Sequence, residues 1–92
     1  MDHDRRRVLF EGRVQGVGFR YTAERISRRF EIRGFVRNLA DGRVELVMDG
    51  EPSMLDSFLR AIHAELGDKI QAYRVEPEPR EPPLADGFVI AW

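Results

Sequence analysis

Two helical stripes of apolar residues, separated by a hairpin signal, constrain this chain more than any other feature. Phe19, Ala23, Ile26 and Phe30 recur at spacings of four, three and four, which is one face of a helix. Leu55, Phe58, Leu59, Ile62 and Leu66 repeat that period further on. Pro52 and Ser53 suit the start of this second helix, and Gly67 suits its stop. Between the stripes the period changes. Val44, Leu46 and Met48 alternate with Glu45, Val47 and Asp49, as in a strand. Asp41-Gly42 just before them is a strong hairpin signal, which pairs this strand with another over Ile32 to Leu39.

Three further strands complete the pattern. Val8 to Phe10 is a short apolar run between charges and predicts a first strand. Ile70 to Val75 predicts a fourth, and Phe88 to Trp92 a final edge strand. Pro77, Pro79, Pro82 and Pro83 forbid regular pairing and mark a loop, to which no function is assigned. The order is strand, helix, strand, strand, helix, strand, then a tail strand. This predicts an α+β fold, the ferredoxin-like βαββαβ sandwich: an antiparallel sheet with two helices on one face, plus a C-terminal edge strand. The 92 residues are enough for one such domain, residues 1–92, and not for two.

Composition narrows the chemistry. The chain has no cysteine, so disulfides, thiolate nucleophiles and cysteine-ligated metals are excluded together. Charge is uneven. Residues 1–43 carry 11 Arg against 6 Asp plus Glu, a net of +5, and residues 44–92 carry 4 Lys plus Arg against 10 Asp plus Glu, a net of −6. The basic half suits a small anion. With a pI of about 6.1, long nucleic acid is not an expected partner. The N-terminal apolar run is far too short for a signal peptide or a membrane span, so a cytoplasmic protein with no membrane partner is expected.

Gly12, Gly16 and Gly18 fall within seven residues, after the first strand and at the start of the first helix. A glycine-rich turn there points several backbone N–H groups at one spot, and the helix N-terminus adds partial positive charge. Arg20 stands in the first helical turn, where the macrodipole disfavours a cation and a bound anion would offset that. Its guanidinium fork can grip two phosphate oxygens. The spacing is neither the dinucleotide fingerprint nor the P-loop. His3 and His63 have no acidic cluster beside them and make no metal site.

The run Gly12-Arg13-Val14-Gln15-Gly16-Val17-Gly18-Phe19-Arg20, followed by Gly34-Phe35-Val36-Arg37-Asn38 and the Asp41-Gly42 hairpin, resembles the two signature motifs of the acylphosphatase family. The similarity runs from about Val8 to Ile90. It implies a metal-independent hydrolase, without cofactor, that cleaves the carboxyl-phosphate bond of small-molecule acyl phosphates. Inorganic phosphate would be product and competitive inhibitor, and the chain a monomer. The resemblance implies that Gln15, Gly16, Val17, Gly18, Phe19 and Arg20 hold the phosphate, largely through backbone N–H groups, and that Asn38 orients the attacking water. Arg20 and Asn38 are thus the expected catalytic pair.

Three other roles compete. Arg33-Gly34-Phe35-Val36 faintly echoes an RNA-recognition signature on the same order of elements, but it is short and falls on the second strand instead of the third. A domain that binds a phosphorylated metabolite without turning it over would need only the loop, so Asn38 separates it from an enzyme. Larger proteins that handle carbamoyl phosphate carry such a domain at one end. Here no cysteine motif follows, and a stand-alone enzyme is expected.

Overall fold

The computed structural model describes residues 3–91. The elements are β1 (Asp4–Gly12), α1 (Phe19–Ser27), β2 (Arg33–Asn38), β3 (Val44–Gly50), α2 (Pro52–Leu66), β4 (Ile70–Pro77) and β5 (Phe88–Ile90). A short 3-10 turn, Gly67–Lys69, joins α2 to β4. Strands lie in the order β4-β1-β3-β2-β5. β3 runs antiparallel to both β1 and β2, so the strands joined by α1 are parallel to each other with β3 inserted between them. That is the split arrangement the element order predicts. β5 adds at the edge, parallel to β2, and makes the sheet mixed. Trp92, expected in that strand, lies outside the described residues.

Strand alternation divides the sheet into two chemically different faces. Val8, Phe10, Val36, Val44, Leu46 and Met48 point to one side, where they form the core with Phe19, Ala23 and Ile26 of α1 and Leu55, Phe58 and Ile62 of α2. Register locks this face: Leu46 is the partner of Val8 on one side and of Val36 on the other. A slip of one residue would turn the whole apolar set to the opposite side. α1 stops at Ser27, short of Phe30, the last residue of its apolar stripe. Phe30 still packs on the core, its ring 5.9 Å from that of Phe58.

The other face carries ion pairs where a helical layer would otherwise lie. Arg5 Nε donates to Asp49 Oδ2 at 2.9 Å, and both side chains are almost wholly buried. Arg5 also donates to the carbonyls of Pro79 and Pro82, at 3.1 and 2.9 Å. Arg80 reaches the same Asp49 carboxylate at 3.1 Å. The proline-rich segment is therefore held against the sheet by Arg5 and Arg80. Further along the same face, the buried Glu45 carboxylate accepts from Arg7 and Arg37, each at 2.5 Å. Burial alone would raise the Asp49 and Glu45 carboxyls, but the arginine hydrogen bonds outweigh it and hold both below the usual carboxylate range.

Candidate active site

The turn from β1 into α1 is built by glycines that adopt what other residues avoid. Gly16 and Gly18 take φ of 76° and 78°, whereas no described non-glycine residue has positive φ. Positive-φ glycines on either side of Val17 make the kind of turn that can direct successive N–H groups toward one concave side. Gly18 is the N-cap of α1 and supplies no side-chain cap. The first helical bond runs from the Thr22 N–H to the Gly18 carbonyl, 3.0 Å. The amides of Phe19, Arg20 and Tyr21 before it have no acceptor within the helix. With no acidic residue in that first turn, the helix start is suited to an anion.

A concavity of about 240 Å³ opens here, lined by Val14, Gly16, Gly18, Phe19, Arg20, Tyr21 and Asn38. Five of the residues expected from sequence, Gly16, Gly18, Phe19, Arg20 and Asn38, thus share one wall. Val14 and Phe19 are buried and anchor the loop to the core. Asn38 comes from the end of β2, on the same side of the sheet as buried Val36. Its Oδ1 is buried and accepts no hydrogen bond from any described residue. Buried acceptors are nearly always satisfied, so this oxygen retains unused capacity to accept a hydrogen bond.

Two expected phosphate-loop residues sit differently. Val17 is 40% exposed and is not part of the cavity wall. The Gln15 side chain turns to the β2–β3 hairpin, where its Nε2 donates to the carbonyls of Leu39 and Arg43 at 2.8 and 2.9 Å. Nothing in the sequence marked that tether, because it depends on how the loop and the hairpin meet in space. Tyr21 joins the wall although 67% exposed, and its orientation, too, was invisible in the sequence.

A larger cavity, about 390 Å³, lies around Glu31, Arg33, Asp49 and Arg80. Its two arginines are already held by Asp86 and Asp49, at 2.9 and 3.1 Å, which makes it a poor anion site despite its size. Among the described residues no three His, Asp or Glu side chains converge as metal ligands would, and no helix is long and apolar enough to cross a membrane.

The acylphosphatase family profile matches residues 6–90. An acylphosphatase of Haloarcula marismortui is 37% identical over 92 residues, covering 100% of both chains. One from Archaeoglobus fulgidus is 40% identical over 86 residues, covering 92% of this chain and 94% of that one. Among solved structures, acylphosphatase from Bacillus subtilis superposes with a TM-score of 0.83 at 30% identity, covering 96% of this chain and 98% of its own. Profile, relatives and fold agree: the chain belongs to the acylphosphatase family.

Proposed function

We propose that this chain hydrolyses small acyl phosphates to a carboxylate and inorganic phosphate, by in-line attack of a water oriented by Asn38. The observation that carries this reading is the buried Asn38 Oδ1 without a protein partner, on the same cavity wall as Arg20. A binding module would need the loop and Arg20 alone. An unsatisfied, inward carbonyl beside them suits a hydrolase, because it can fix the direction of a water hydrogen.

The reaction needs little acid–base help. The leaving group is a carboxylate, whose conjugate acid has a pKa near ~4, so it departs unprotonated. What remains is to hold the phosphoryl group, neutralise its charge and align the nucleophile. In this reading Arg20 and the backbone N–H groups from Gln15 to Arg20 cradle the phosphoryl oxygens. Water oxygen bonds to phosphorus as the bond from phosphorus to the carboxylate oxygen breaks, and the water proton passes to a phosphoryl oxygen of the substrate. Every group used in this step comes from the chain, the substrate or water.

The reading carries further expectations. Inorganic phosphate, as product, competes for the cradle, and the 92 residues act as one domain and as a monomer. The test is hydrolysis of a small acyl phosphate by the purified chain, with phosphate titrated in. Turnover with competitive inhibition by phosphate supports it. Tight phosphate binding without turnover would leave a binding module.

A further inference from the structure

We infer that Gln15 is a positioning residue that sets the attacking water through Asn38 and does not contact the phosphate with its side chain. The inference rests on the role proposed above for Asn38. Only a donor can face two carbonyl oxygens, so the contacts to Leu39 and Arg43 fix which end of the Gln15 amide is nitrogen and use both of its hydrogens. The two acceptors also close the hairpin. The Leu39 carbonyl accepts from the Gly42 N–H at 3.2 Å, and the Arg43 carbonyl from the Leu39 N–H at 2.8 Å.

Gln15 thus clamps the base of this turn from outside, at the residue that immediately follows Asn38. Asn38 itself has no hydrogen bond to its Oδ1 that would hold the side chain in place. The distance from the loop to the Asn38 carbonyl then depends on backbone, and the Gln15 side chain ties the two backbones together. The cradle and the water site belong to different elements, and in-line attack requires them to be in register.

The experiment compares Gln15→Met, which keeps length and removes the donor, with Asn38→Ala and the double variant. Gln15→Met is expected to lower kcat on a small acyl phosphate roughly 10- to 100-fold, with the Kd for inorganic phosphate unchanged. The double variant is expected to be no slower than Asn38→Ala alone, because Gln15 acts through Asn38. Gln15→Glu supplies a second signature. Its carboxylate cannot donate, but the protonated acid can donate to one carbonyl, so kcat relative to the parent should rise as pH falls through the carboxyl range.

Parent-like kcat in Gln15→Met overturns the inference. So do additive losses in the double variant, or a phosphate affinity that falls in step with kcat. If activity in both Gln15 variants is lost only as the fold is lost, Gln15 is a structural tether and the inference again fails. A parent chain that hydrolyses no acyl phosphate overturns the Asn38 reading along with it, whereas an active parent with indifferent Gln15 variants overturns this inference alone.

Discussion

Arg20 and Asn38 meet on the wall of one cavity from different elements, the first turn of α1 and the last residue of β2. The sheet order makes this possible, because α1 carries the chain from β1 over β3 to β2. The helix N-terminus and the strand's C-terminal end then lie at the same end of the sandwich. On the proposed mechanism the two residues divide the work, one holding phosphate and the other aiming water.

The first consequence concerns Arg20. Arg20→Ala should lower hydrolysis and phosphate affinity roughly 30- to 150-fold while the chain stays folded, since a charge-assisted fork is worth on the order of 2–3 kcal/mol. Lysine restores charge but not the planar fork, so Arg20→Lys should recover only part of the rate. Phosphate titration calorimetry and steady-state rates on both variants check this. Parent-level turnover by Arg20→Ala would remove Arg20 from the site.

Metal dependence offers a second check. If phosphate is held by N–H groups and Arg20 as proposed, turnover should survive exhaustive treatment with a strong chelator. Inorganic phosphate should raise KM and leave kcat unchanged. Loss of activity on chelation, recovered by adding a divalent ion, would contradict the mechanism.

Stability toward acid should depend on the open face of the sheet. Asp49 and Glu45 have carboxyls held below their ordinary values, which are near ~4 when the chain is unfolded. A depressed folded value means that the unfolded chain binds the proton more readily. The contribution is therefore complete above about pH 4 and is lost as pH falls through the folded values. Asp49→Asn should flatten part of this acid limb in denaturation curves taken across pH. It should also lower stability at neutral pH by about 3 kcal/mol, since Arg5 would stay buried without its counter-charge. An unchanged acid limb would show that these pairs contribute nothing to it.

Gly34 tests the packing of the strand that carries Asn38. It has φ 154°, and a Cβ there would stand 1.9 Å from the Val47 carbonyl oxygen on β3. Backbone cannot yield as a flexible side chain does, so Gly34→Ala should cost roughly 2 kcal/mol or more and disturb the β2–β3 ladder that carries Asn38. Equilibrium denaturation measures the cost. A variant as stable as the parent would mean the strands separate there easily.

Much of this was legible in the sequence because it rests on local rules. The stripe from Leu55 to Leu66 could only be a helix, and Asp41-Gly42 could only be a tight connection of two strands. The glycine-built turn into α1 showed in the spacing of Gly12, Gly16 and Gly18. Other features depend on register, which a single chain does not display. Arg5 and Arg7 alternate along β1, as Glu45 and Asp49 do along β3, yet their pairing appears only once Arg5 is set beside Asp49. The same holds for β1, whose charged N-terminal half did not read as strand, and for β4, which continues to Pro77 because an edge strand tolerates proline at its end. The Gln15 tether links segments far apart in the chain and leaves no local trace. Asn38 would have read as a turn residue without the motif around it.

The most direct measurement is made on Asn38→Ala, following kcat, phosphate affinity and thermal unfolding on the same preparation. The account predicts a folded protein with a near-parental Kd for inorganic phosphate and a kcat lowered roughly 10²- to 10³-fold, as for loss of one preorganised transition-state hydrogen bond. A folded variant that turns over acyl phosphate at the parental rate would contradict it.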